Sequence, residues 1–225
     1  MVDSTSPPIT VGVLALQGDV VEHVRSIVAS GATAVEVRTR SDLEGVSGLV
    51  IPGGESTTVG KLLERFNLLE PLQQRIAGGM PVYGTCTGMI LLAKSVEDGL
   101  DGQPILGSLD VVVARNGYGR QLESFEATVD LSLPAQEPGS FHGVFIRAPR
   151  VRSVGPGVGV LARMGHEIVA VCQGNLLATS FHPELTSDAR VHAYFVGMCR
   201  AFAAISNPGP DSADVTVPAE SEPAP

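Results

Sequence analysis

The stretch that decides the fold is Met80-Pro81-Val82-Tyr83-Gly84-Thr85-Cys86-Thr87-Gly88-Met89-Ile90-Leu91-Leu92-Ala93. A short apolar run leads into a glycine-framed turn, and a second apolar run leaves it. That order reads as strand, sharp turn and helix, with the cysteine at the turn. The spacing Gly84-x-Cys86-x-Gly88 is that of the G-x-S-x-G nucleophile elbow, with sulfur in place of oxygen. Glycines on both sides permit a strained turn and close packing of helix on strand.

Upstream, residues 9–16 read as a buried strand ended by Gln17-Gly18. Residues 20–30 carry Val20, Val21, Val24, Ile27 and Val28 at helical spacing, with Gly31 as the stop. Residues 34–37 and 48–51 are short strands, the second closed by Pro52-Gly53-Gly54, and residues 57–66 and 68–77 look helical. Strand and helix thus alternate over the first 95 residues, which predicts a parallel sheet covered on both faces. Downstream the pattern changes. Residues 109–114, 125–131, 143–147, 158–163, 167–172 and 176–181 are short β-like runs that predict antiparallel additions or an extension of the sheet. Residues 188–204 form a last helix with Val191, Tyr194, Phe195, Met198 and Phe202 on one face. The fold class is α/β.

A chain of 225 residues suits one such domain, expected over residues 9–206. Residues 1–8 are polar and proline-bearing, a flexible end rather than a secretory signal. Residues 207–225 are proline-rich and acidic with few apolar side chains, a composition expected to stay disordered. The net charge of −9 argues against a nucleic-acid or anionic-membrane surface. No apolar run is long enough to span a bilayer. Three cysteines, at 86, 172 and 199, make no disulfide framework, so a reducing, cytoplasmic setting is expected.

The chemistry gathers around Cys86. Thiol attack needs a thiolate, which a helix N-terminus and a neighbouring histidine both favour. Far downstream, His182-Pro183-Glu184 offers a base and, two residues on, the acid to orient it. In an extended chain those side chains share a face. The loop Pro52-Gly53-Gly54-Glu55-Ser56 follows a strand and presents unhindered backbone N–H groups. The N–H groups of Gly54 and Thr87 are the expected oxyanion donors, an arrangement worth roughly 10²–10³ in rate per donor. Cys172 and Cys199 read as small buried hydrophobes. His23, His142, His166 and His192 have no carboxylate at comparable spacing and read as structural or surface residues. A metal at His182 and Glu184 lacks a clear third ligand in the sequence. Gly54 to Lys61 mimics a phosphate-binding loop but has Glu55 where glycine is needed and Leu62 where Ser or Thr is needed. Neither metal nor cofactor is expected.

Cys86 in its frame, the Pro-Gly-Gly-Glu-Ser loop and His-Pro-Glu together resemble the class I, triad-type glutamine amidotransferases. Within that class the chain resembles the glutaminase subunits of pyridoxal 5′-phosphate synthase. The discriminating stretches are Gly12–Gly18, Pro52–Thr58, Ala114–Arg120, Ser124–Glu126, Gly143–Pro149 and Ser180–Thr186. The resemblance implies a three-layer, flavodoxin-like domain with a mostly parallel central sheet. It implies a Cys86–His182–Glu184 triad that hydrolyses L-glutamine through a glutamyl thioester. It also implies glutamine contacts from Gly54, Glu55, Ser56, Arg115, Ile146 and Arg147. The ammonia would pass to a separate (β/α)₈-barrel synthase subunit, within a large hetero-oligomer. The segment from Gln17 to His23 matches a region tied to the partner interface and to activation. Thr87 departs from the alanine common after the nucleophile but keeps the backbone N–H. A glutaminase serving a histidine- or purine-pathway synthase, a non-catalytic module and a thiol hydrolase of similar fold are the competing readings.

Overall fold

The computed structural model describes residues 9–115, 117 and 124–206. The expectations for residues 1–8 and 207–225, and part of the stretch from 114 to 120, lie outside the described residues. The first half builds β1 (Thr10–Leu14), α1 (Val20–Ala29), β2 (Thr33–Val37), α2 (Arg40–Glu44), β3 (Gly48–Ile51), α3 (Ser56–Arg65), α4 (Leu69–Ala77), β4 (Val82–Thr85) and α5 (Thr87–Leu92). The second half builds β5 (Ala93–Glu97), β6 (Leu109–Ala114), β7 (Ser124–Leu131), β8 (Gly139–Ile146), β9 (Arg150–Val154), β10 (Gly159–Met164), β11 (Glu167–Gln173) and β12 (Leu176–Thr179). A 3₁₀ turn (Pro183–Leu185) and α6 (Arg190–Ser206) complete it.

Nine strands form one sheet in the order β2-β1-β3-β4-β12-β11-β10-β7-β8. The five from β2 to β12 are parallel, and β11, β10, β7 and β8 extend the sheet antiparallel. The sequence pattern explains why the parallel part is buried on both faces. Along β3, Leu49 and Ile51 enter one core cluster while Val50 enters the other. Along β4, Val82 and Tyr83 part in the same way. This is the period of two expected of a strand with two dry faces. Helices α3, α4 and α5 lie over the first cluster, α1 and α6 over the second.

Three elements escaped the sequence reading. Helix α2 has only five residues, too short for periodicity, although its Thr39–Asp42 capping box is complete. Strand β5 follows α5 with no loop, so Ala93, read as the end of a helix, begins a strand. Strand β9, with Arg150 and Arg152, is an edge of a second, three-stranded sheet, β5-β6-β9. Strand β12 also stops at Thr179, short of the extended run read to residue 181. Among the described residues no helix is long and apolar enough to cross a membrane.

Candidate active site

The sheet places the functional loops. Strand order 2-1-3 reverses direction at β1, which opens a crevice beyond the carboxyl ends of the parallel strands. The segments following β1 (Gly18, Asp19), β3 (Gly53 to Ser56), β4 (Cys86, Thr87) and β12 (His182) all line one cavity of about 300 Å³ there. Arg115, Ile146 and Arg147 close its other wall.

Cys86 occupies the turn between β4 and α5 with φ 49° and ψ −100°, a conformation L residues rarely adopt. The turn is held by Cys86 N–H donating to Thr179 O on β12 at 2.8 Å. The thiol is 5 % exposed and donates to Ile146 O at 3.6 Å. Next to it, Thr87 Oγ1 donates to Gly54 O at 2.5 Å, so the nucleophile turn and the Gly-Gly loop are bonded to each other. Gly53 is needed where it stands, because a Cβ there would run into the His182 ring.

His182 Nδ1 meets Glu184 Oε1 at 2.7 Å, and both side chains are almost wholly buried. The pair is not displayed from an extended strand, as residue spacing suggested. Pro183 opens a 3₁₀ turn that carries Glu184, and the turn swings the carboxylate back under the imidazole. Burial disfavours the imidazolium, yet the neighbouring Cys86 thiol and the Glu184 carboxylate outweigh it and raise the His182 pKa to about 10, although His182 Nε2 makes no hydrogen bond among the described residues. Burial likewise opposes the Glu184 carboxylate, but attraction and hydrogen bonds from His23 and His182 hold its pKa well below the usual carboxyl range.

Glu55 caps α3. Its carboxylate accepts from Thr57 N at 3.0 Å and Thr58 N at 2.7 Å. Burial works against its charge, but those bonds and the Thr58 hydroxyl bring its pKa down to about 2. Arg115 binds Glu55 Oε1 at 3.0 Å and is further committed to Thr57 and Gln103 at 3.2 Å each. Arg147 is exposed, lines the cavity and makes no ion pair among the described residues. Ser56 is buried and accepts from Gln103 Nε2. All the site residues singled out in the sequence therefore meet in one cavity or directly beneath it.

The structure adds residues that spacing could not reveal. Asp19 Oδ2 lies 3.7 Å from His182 Nδ1, and burial, then the Glu184 charge, raises its pKa. Asp19, His182 and Glu184 are close enough to share an ion, the third ligand missing from the sequence. A metal needs a neutral histidine nitrogen, however, and Nδ1 is already bonded to Glu184. His23 also reaches the site: its Nε2 lies 3.3 Å from Glu184 Oε1. The sequence reading made His23 merely structural because its carboxylate partner is distant along the chain. His142 pairs with Glu126 at the surface. Cys199 is buried as expected, with burial pushing its thiol up to about 12, whereas Cys172 is only half-buried.

The arrangement sets a thiol at a strained turn, an imidazole held by a carboxylate and the glycine loop after β3 around one cavity, a set of groups suited to thiol acyl transfer. The SNO glutamine amidotransferase family matches residues 13–201. A pyridoxal 5′-phosphate synthase subunit PdxT from Parafrankia sp. is 59% identical over 191 residues, spanning 85% of this chain and 93% of that protein. A PdxT subunit from Streptomyces avermitilis is also 59% identical, over 85% of this chain and 94% of its own length. A crystal structure of a glutamine amidotransferase superposes with a TM-score of 0.78 at 49% identity, covering 84% of this chain and 98% of the other.

Proposed function

The chain belongs to the SNO glutamine amidotransferase family, and from that premise we propose how it works as the glutamine-hydrolysing subunit of a pyridoxal 5′-phosphate synthase. Glutamine enters the cavity with its side-chain amide against Cys86. The Cys86 thiol gives its proton to His182, the sulfur attacks the amide carbon and a C–S bond forms. The C–N bond then breaks as His182 gives a proton to the departing nitrogen, and ammonia leaves. Water attacks the glutamyl thioester and loses a proton to His182; the C–S bond breaks, glutamate leaves, and the proton on His182 returns to sulfur to restore the thiol. Glu184 keeps the imidazole in one orientation and stabilises its charged form. The N–H groups of Gly54 and Thr87 receive the developing oxyanion.

Glu55 and Arg147 complement the two charged ends of the amino acid. The Arg147 guanidinium, without an ion-pair partner among the described residues, suits the α-carboxylate, and Glu55 suits the α-ammonium. Arg115 fixes Glu55, while Ser56 and Ile146 line the cavity beside it. Ammonia passes to a barrel-shaped synthase subunit, several copies of this chain being seated on a large synthase core.

The observation that carries this reading is the 2.7 Å His182–Glu184 contact beside a cysteine at φ 49°. Intact-mass spectrometry after acid quench of the full chain, mixed with glutamine and the synthase, tests it. The expected result is a glutamyl adduct on Cys86 that hydroxylamine removes and that Cys86→Ala lacks. Undiminished glutamate release by Cys86→Ala overturns it.

A further inference from the structure

Beneath the proposed triad runs a second buried polar chain that the reaction above does not use. Glu184 does its bonding through one oxygen: Oε1 meets His182 at 2.7 Å and His23 Nε2 at 3.3 Å, while Oε2 has no hydrogen-bond partner among the described residues. His23, on α1, has no exposed surface. Its Nε2 also lies 3.2 Å from Thr85 Oγ1 on β4, and its Nδ1 lies 3.0 Å from His192 Nε2 on α6. Tyr83 stands edge-on to both rings, at 6.3 Å and 5.7 Å between centroids, and fixes their planes against the sheet.

Hydrogen counting assigns the protons. An ionised carboxylate only accepts, and a bare Nε2 lone pair would face it at 3.3 Å, so His23 Nε2 carries a hydrogen, shared between Thr85 Oγ1 at 3.2 Å and Glu184 Oε1. One hydrogen lies between His23 Nδ1 and His192 Nε2. If His23 supplied it, a neutral His192 would bury an unpaired N–H at Nδ1. If His192 supplies it, Nδ1 is a bare lone pair, the less costly way to leave that atom without a partner. Burial, then the neighbouring His23, holds the His192 pKa down to about 3, consistent with a single ring proton.

We propose that His23 is a positioning residue for the triad: its Nε2–H fixes Glu184 from α1, and His192 on α6 sets the His23 tautomer. This rests on the Cys86–His182–Glu184 reading of the site. Two helices on one face of the sheet therefore aim the carboxylate that aims the base. The titratable groups around Glu184 are His182 after β12, Asp19 and His23 from α1 and its entry turn, Tyr83 from β4 and His192 from α6.

The test compares His23→Leu, which removes the donor, with His23→Gln, which keeps an N–H on a side chain of similar reach. Two pH profiles are measured on the full chain: iodoacetamide alkylation of Cys86, and glutamate release with the synthase present. The Glu184 carboxyl is held low partly by His23, so losing that donor raises its pKa. A carboxylate held less firmly aims the imidazole at Cys86 less often. The expected result for His23→Leu is Cys86 alkylation slowed and kcat lowered about tenfold at every pH, with KM within about twofold. His23→Gln recovers most of both. A folded His23→Leu with wild-type alkylation rate and kcat overturns the proposal, as does a folded His23→Gln no better than His23→Leu. If neither variant folds, ¹⁵N-imidazole NMR of the wild type decides: Nε2–H on both His23 and His192 upholds the assignment, and Nδ1–H on His192 overturns it. Alkylation needs no glutamine, so a wild type that fails to release glutamate contradicts the glutaminase reading without touching this one.

Discussion

At Cys86 the backbone stores strain of order 1–3 kcal/mol, because a side-chain-bearing residue is held at φ 49°. The neighbours that hold it are bonded to other strands and loops: Thr179 O takes its N–H, and Thr87 is tied to Gly54. The result is a thiol presented at the floor of a cavity rather than buried among apolar side chains, as Cys199 is. The same residue scale decides substrate recognition. Arg115 already spends its charge on Glu55, so among the described residues lining the cavity Arg147 is the guanidinium left for the carboxylate of the proposed substrate. Arg147→Ala is expected to raise KM for glutamine about tenfold, the equivalent of ~1.4 kcal/mol, with kcat within about twofold. Steady-state kinetics with the synthase present measures this, and an unchanged KM removes Arg147 from the binding role.

Among the elements, α5 matters most. All six of its residues are buried, and it packs against β3, β4, β12 and α3. Such close approach needs Gly88, where a Cβ would strike the Ile51 carbonyl oxygen on β3. Gly88→Ala is expected to cost ~1–3 kcal/mol by overpacking. For a domain of this size that lowers Tm by about 2–4 °C per kcal/mol. Thermal unfolding of the two proteins gives the answer, and equal Tm values would show that the contact relaxes freely. These elements were legible in the sequence because their signals are local. The apolar run, the glycine frame of Cys86, the Pro-Gly-Gly stop after β3 and the His-Pro-Glu triplet each lie within a few residues. What stayed hidden depends on distance or on brevity. Helix α2 is a single capped turn or so, β5 is masked by the helix it continues, and β9 is a polar edge. His23 and His192 acquire meaning only when the sheet brings α1 and α6 against β4 and the turn after β12.

For the whole molecule, one parallel sheet collects four loops at its carboxyl edge, and the antiparallel half adds the wall made by Ile146 and Arg147. The fold alone does not choose a product; the relatives at 59% identity do, since both are pyridoxal 5′-phosphate synthase subunits. The central claim is that this chain supplies the synthase with ammonia through Cys86. The direct measurement is pyridoxal 5′-phosphate formation by the synthase mixed with the wild-type chain or with Cys86→Ala, fed glutamine or an ammonium salt. The account predicts product from glutamine only with the wild type, and product from ammonium with either. Product from glutamine with Cys86→Ala would contradict it.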